Sequence, residues 1–281
     1  MIDAHHHFVF PDRVSYPDLE RAMPEINRSL TPAELEPQLR TANVDGTVLV
    51  QAANDLAETS LLTEVAAQVP WVLGVVGWIP LETPEAAAAA LSRVAGPQLV
   101  GMRYLIHREP DPAWLSAPER LESLRFLAQQ GLVYELVALA KGHLENGLSI
   151  ADRVPELTLV VDHLGGPYVR RNRWEPWASI MGELAQHPGC VVKYSGLDPI
   201  DGEVAGYRPY VEYLLEKFGP ERIMWASNWP ATRLGGSYQL IVEDSLGLLP
   251  ELTSDERELV FDGTARRVYR MLASTESEGV S

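Results

Sequence analysis

Gly46-Thr-Val-Leu-Val-Gln51, then residues 55–68, then Trp71-Val-Leu-Gly-Val-Val-Gly-Trp78 form the stretch on which the fold turns. The two apolar runs are short, rich in Val and Leu, and lack polar alternation, as strands covered on both faces do. Residues 55–68 have helical length and begin at an Asp, a residue that caps helices. Strand, helix and strand joined by so little chain read as a βαβ unit, whose strands run parallel.

The same beat continues on both sides. Upstream, residues 2–7 read as a strand, and Thr31-Pro32 opens a helix to about residue 43, with Pro in its first turn. Downstream, strands are expected at 99–104, 132–136, 157–163, 190–195 and 223–227. Helices fill the intervals, from Thr83-Pro84 and then at about 117–129, 141–153, 174–186 and 204–218, with more helix to about 271. Eight strands, each followed by helix, within 281 residues is the arithmetic of an α/β (β/α)8 TIM barrel. An open doubly wound sheet is the competitor. No G-x-G-x-x-G follows an early strand and there is no Walker A motif, so nothing points to a dinucleotide or a nucleoside triphosphate. One barrel domain is expected over 1–272. The aperiodic, Pro- and charge-rich segment at about 8–30 would lie over the mouth as a lid-like loop, and 273–281 would form a flexible polar tail.

Composition narrows the function. A formal charge of −16 disfavours nucleic acid and anionic membrane as partners, since both need basic patches, but leaves room for a local basic pocket. A single cysteine, Cys190, forms no internal disulfide, which fits a reducing cytoplasm. No apolar run reaches transmembrane length, and Met1 leads straight into the first strand without a signal-peptide pattern. The expected partner is a small molecule. A homo-oligomer is compatible with the sequence, which carries no sign of the oligomeric state.

In a barrel of this kind the active site lies at the C-terminal ends of the strands. Those ends carry His5 and His7 on strand 1, Arg103 on strand 4, Tyr134 and Glu135 on strand 5, His163 on strand 6, Lys193 and Ser195 on strand 7, and Asn228 on strand 8. His5 and His7, two apart, share one face of a strand, while His6 should point into the wall between sheet and helices. Taken alone, the His run is equally readable as a tag remnant or a surface cluster. Converging with His163, it suits a divalent ion, Zn²⁺ first, or a metal-free acid–base cluster. Arg103 and Lys193 would supply positive charge for a carboxylate or a developing oxyanion. Each also has a plainer reading: Arg103 paired with Glu135, Lys193 snorkelling outward, and Asp162-His163-Leu-Gly-Gly as a simple strand exit. His107 follows Arg103 closely enough to reach the mouth, and Arg233 could enter from the loop after strand 8. His143 and His187 are expected at the surface.

The motifs Ile2-Asp-Ala-His-His-His-Phe8, Gly101-Met-Arg103, Val161-Asp-His-Leu-Gly-Gly-Pro167, Val192-Lys-Tyr-Ser-Gly-Leu197, Trp225-Ala-Ser-Asn-Trp-Pro230 and Gly263-Thr-Ala-Arg-Arg-Val-Tyr269 occur in this order. Together, over nearly the whole chain, they resemble the amidohydrolase-related (amidohydrolase 2) family of sugar-lactone and 2-pyrone-4,6-dicarboxylate lactonases. The resemblance implies a barrel that hydrolyses cyclic esters of sugar acids or aromatic-derived acids, with one divalent metal or with none. By motif, His5, His7 and His163 would be catalytic and, if a metal is bound, its ligands. Arg103 would hold substrate with Tyr134, Lys193, His107 and Arg233. Where the wider superfamily has a strand 5 metal histidine this chain has Tyr134 and Glu135, which argues against a binuclear site.

Strand 8 departs from the pattern. The family reads Gly-Ser-Asp-Trp-Pro there, and its Asp binds metal or takes the proton of the attacking water; this chain has Asn228. An amide has no basic oxygen at neutral pH and cannot serve as general base. Three readings stay open: an engineered Asp→Asn change, a natural member that binds or isomerises or decarboxylates a cyclic metabolite, and a hydrolase using another base such as Glu135 or a histidine.

Overall fold

The computed structural model describes residues 1–167, 169, 174–199 and 203–271, apart from the side chain of Arg233. Residue 272 and the tail 273–281 lie outside the described residues. Eight parallel strands pair in chain order: β1 Ile2–His6, β2 Gly46–Val50, β3 Val72–Gly77, β4 Leu99–Tyr104, β5 Val133–Leu136, β6 Leu159–Val161, β7 Cys190–Tyr194 and β8 Ile223–Trp225. The first and last edges meet just beyond β8. His6 bridges Trp229 in parallel, the Asn228 amide donates to the His5 carbonyl at 2.8 Å, and the His7 amide donates to that of Trp229 at 2.8 Å. The expected (β/α)8 barrel is what the chain forms.

Helices α2 (Pro32–Thr41), α3 (Leu56–Ala66), α4 (Pro84–Val94), α5 (Pro118–Gln129), α6 (Lys141–Arg153), α7 (Trp177–Leu184) and α8 (Arg208–Phe218) follow successive strands. After β8 come α9 (Tyr238–Leu248), α10 (Ser254–Glu258) and α11 (Thr264–Val268). Their starts obey local chemistry: the Asp55 carboxylate accepts from the Ala57 amide, and the Thr83 hydroxyl accepts from that of Ala86. The segment 8–30 differs from its reading as loop. It contains α1 (Pro17–Ala22) and a 3₁₀ turn, Pro24–Ile26. Six residues are too few to show a helical period, although Pro17 and the acidic Asp18 and Glu20 in the first turn are ordinary start signals.

Apolar side chains fill two compartments. Ile2, Ala4, Val48, Val50, Val76, Val133, Val160, Val191 and Met224 pack inside the barrel with Val268 and Tyr269 from its base, while the larger set packs between sheet and helices. Strand alternation would put His6, not His5, on the face of Ile2 and Ala4. The register resolves this. Asp3 pairs with Thr47 and His6 with Leu49, so three steps on β1 oppose two on β2. The bulge resets the parity, and His5 and His7 turn inward. His6 turns outward, its Nε2 2.9 Å from the Thr47 hydroxyl and its ring against Phe8.

Candidate active site

Above the interior valines sits a layer of charge. Glu135, Asp162, Lys193 and His5 are fully buried and Arg103 nearly so. The Lys193 ammonium donates to Glu135 Oε1 at 2.6 Å and to His5 Nδ1 at 2.9 Å. Arg103 donates to Asp162 Oδ2 at 2.9 Å and also to the Gln51 carbonyl, while the Gln51 side-chain amide donates back to the Arg103 carbonyl at 2.9 Å. Two cations facing two carboxylates leave the layer near neutrality, the condition under which buried charge is tolerable. Burial would raise the Asp162 carboxyl, but Lys193, His5 and Arg103 outweigh it and hold it well below the usual range. For Glu135 burial wins over Lys193, and its carboxyl is raised.

The histidines are held neutral. Burial lowers His5 and His7 well below an ordinary imidazole, helped by Lys193 beside His5 and Arg103 beside His7, and burial lowers His163 to about 4. Their hydrogen bonds assign the nitrogens. His7 Nδ1 lies 2.7 Å from the Val50 carbonyl, which can only accept, so Nδ1 carries the proton and Nε2 the lone pair. His7 Nε2 is 3.1 Å from His5 Nε2, and His163 Nδ1 is 2.8 Å from the Ser195 hydroxyl.

Two strand exits adopt left-handed backbone to aim site residues. His163, Leu164, Gly165 and Gly166 have φ between 52° and 71°, and Asn228 has φ 54°. For non-glycine residues such conformations are strained and cluster at functional sites. Gly196, in the loop after β7, closes against this turn: a Cβ there would lie 2.8 Å from that of His163.

Over this layer opens a cavity of about 460 Å³. His7, Arg103, His163 and Asn228 line it together with Asp18, Leu19, Ala22, Met23 and Ile26 from the segment after β1. A family model described as Amidohydrolase matches residues 2–271. The chain belongs to the amidohydrolase family. The L-fucono-1,5-lactonase of Burkholderia ambifaria is 31% identical to this amidohydrolase over 284 residues, 96% of this chain and 95% of that protein. Its namesake from Burkholderia multivorans is 29% identical over 290 residues, 96% of each chain. An amidohydrolase from Burkholderia multivorans crystallised with bound zinc superposes with a TM-score of 0.87 at 26% identity, over 96% of this chain and 99% of that one.

The structure sorts the residues named from the sequence of this amidohydrolase. His7, Arg103, His163, Asn228 and His107 line the cavity, and His5 lies directly beneath His7. Tyr134 does not line it. It alternates with Glu135 along β5, so its side chain packs on the helix side, fully buried, with no hydrogen bond to its hydroxyl. Lys193 points inward rather than snorkelling, but lies below the cavity floor, bound to Glu135 and His5. Arg233 sits in a 3₁₀ turn, Thr232–Gly235, and its side chain lies outside the described residues. His143, expected at the surface, is 7% exposed and accepts from the Leu139 amide at 3.1 Å.

Asp162 is the residue the sequence reading passed over. It was legible only as the neighbour of His163, yet it pairs with Arg103 and lies 3.4 Å from His5 Nδ1. Its Oδ1 is buried, with the Lys193 ammonium and His5 Nδ1 each 3.4 Å away, and the ligand atoms of His5, Asp162 and His163 lie within 4.8 Å of one another. His7, protonated at Nδ1, has its Nε2 lone pair to offer a divalent ion, whereas His5 accepts from Lys193 at Nδ1, carries its proton on Nε2 and joins such a donor set only when that proton is released.

Proposed function

We propose that this amidohydrolase opens a lactone of a sugar acid or an aromatic-derived acid by adding water to the ring ester. The observation that carries the reading is the cavity floor, where the Arg103 cation and the neutral imidazoles of His7 and His163 converge at the C-terminal mouth of the barrel. The lactonase names of the full-length relatives support it.

Arg103, locked by Asp162 and the Gln51 carbonyl, presents a fixed guanidinium edge to the ester carbonyl and stabilises the oxyanion that forms on attack. Asn228 cannot take the water proton, so with no ion bound that proton goes to the unprotonated ring nitrogen of His7 or His163, and the same nitrogen returns it to the leaving ring oxygen. The acyl–oxygen bond breaks and a hydroxy acid leaves. A divalent ion held by His7 and His163, and by His5 once its Nε2 proton is released, with Asp162 at hand, would supply Lewis-acid polarisation of the carbonyl. Near-stoichiometric zinc uptake by the wild type, lost in His7→Asn, is the expected result of a binding titration.

Asn228 favours a second reading, a barrel that binds, isomerises or decarboxylates a cyclic acid without hydrolysing it. Acid release measured with pH indicator on a panel of aldonolactones and 2-pyrone-4,6-dicarboxylate separates the two. Catalysed ring opening of at least one member is expected. Rates equal to spontaneous hydrolysis throughout would sink the hydrolytic reading and leave the second.

A further inference from the structure

We propose that the face formed by α1 and the following 3₁₀ turn is a specificity wall, which takes an apolar substituent of the lactone ring. The preferred substrate on this view carries an alkyl group, not a hydroxylated one, on the side away from the reacting ester. The proposal rests on the lactonase reading and names its substrate class.

Polar groups line the floor of the cavity, and Asp18, Arg21, His107, Asp198 and Tyr207 add others at its sides, but the α1 face between them is carbon. The floor has His7, Arg103, His163 and Asn228; facing them, Leu19, Ala22, Met23 and Ile26 offer carbon. Leu105, Val137, Leu139, Pro230 and Ala231 continue this lining, and Leu139 is 55% exposed at the rim. The carboxylate that α1 contributes to the cavity is already engaged. Asp18 Oδ2 accepts from His107 Nε2 and from Arg108 Nε, each at 2.9 Å, and Asp18 Oδ1 lies 3.5 Å from Arg21. A substrate hydroxyl pressed on Leu19, Met23 and Ile26 would lose its water and find only carbon in contact, with the nearby Asp18 carboxylate already accepting from His107 and Arg108, whereas a methylene would gain burial.

At about 460 Å³ the space is at the small end of ordinary ligand pockets, yet it corresponds to roughly fifteen water volumes. A bare lactone ring seated on Arg103 leaves much of that unfilled. The same latch that engages Asp18 holds the wall in place, because it ties α1 to the turn after β4. The apolar wall is therefore a fixed surface of the cavity.

The test is a series of δ-lactones bearing hydrogen, methyl, propyl or pentyl on the ring carbon across from the carbonyl, with a hydroxymethyl analogue beside the methyl one. We expect kcat/KM to rise by about fourfold per buried methylene, the equivalent of roughly 0.8 kcal/mol, until the wall is filled, and methyl to exceed hydroxymethyl. Met23→Gln should flatten the dependence on chain length within that variant, and Met23→Leu should keep it. Hydrolysis with no rise along the series overturns the wall and leaves the lactonase reading standing. If no lactone is opened, that reading fails, and calorimetric binding of the ring-opened hydroxy acids decides the wall: tighter binding with chain length supports it, and equal binding overturns it.

Discussion

Arg103 joins both halves of the site, since one guanidinium answers the buried Asp162 carboxylate and lines the substrate cavity. Arg103→Ala should lower kcat/KM more than tenfold, because a charged contact is worth about 1.5–3 kcal/mol. The same change strands Asp162 without its partner, so chemical denaturation should register a loss of about 3–5 kcal/mol. A variant that keeps both activity and stability would remove Arg103 from the mechanism. At position 228 the expectation runs the other way. Asn228→Asp restores a carboxylate that can accept a proton, and turnover of the best lactone should rise by about a hundredfold or more. Unchanged turnover on every lactone would mean that residue 228 has no part in proton transfer. The histidines, Arg103 and Asn228 were legible from strand ends alone, because a barrel sends those ends to one mouth. Asp162 was not, since a single Asp before His gives no hint of a cation two strands away. Tyr134 was misplaced by one step of strand parity.

At the level of elements, Glu58 on α3 anchors the turn after β2. Its carboxylate is fully buried and accepts from the amides of Ala52 and Ala53, with Tyr16, the residue before α1, close enough to influence its charge. Burial raises its carboxyl to about 7 despite those bonds. The unfolded chain releases this proton near the ordinary value of 4.5, so between 4.5 and about 7 the folded state binds more protons. Stability from Glu58 is therefore full below 4.5 and lost as pH rises through about 7. Glu58→Gln should abolish this, and the difference in unfolding free energy between variant and wild type should shift by about 3 kcal/mol across that window. A shift that is absent or reversed would mean that the carboxyl is not raised. None of this was legible in the sequence, where Glu58 reads as an ordinary helix-surface acid. Likewise α1, which lines the cavity, is too short for periodicity to reveal, whereas the longer helices and the strands were read to within a few residues.

On the scale of the whole molecule, the barrel closes through Asp3. Buried and unsuspected from the sequence, its carboxylate accepts from the His5 amide at 3.1 Å, the Ser227 amide at 2.8 Å, the Ser227 hydroxyl at 2.6 Å and the Tyr238 hydroxyl at 2.9 Å. Tyr238→Phe removes one of these donors and should cost about 1–3 kcal/mol, lowering Tm by a few degrees for a chain of this size. An unaltered Tm would show that the clamp does not bear on stability. The number of strands and their order were legible because βαβ units repeat with local regularity. The closing contacts were not, because they join residues more than two hundred positions apart.

That separation has a consequence for how the protein is made. His7 and Asn228 acquire their relative placement only when the segment beyond β8 lies along β1, and the Asp3 clamp is complete only once Tyr238 has docked. During synthesis, half-barrels holding Arg103 and His163 can form early, but their open edges stay unpaired until the last strand arrives. Competence to bind should therefore appear late in refolding, after most helical signal has returned, with slow closure as expected of contacts so distant along the chain. Stopped-flow circular dichroism followed in parallel with recovery of zinc or lactone binding would display the two phases.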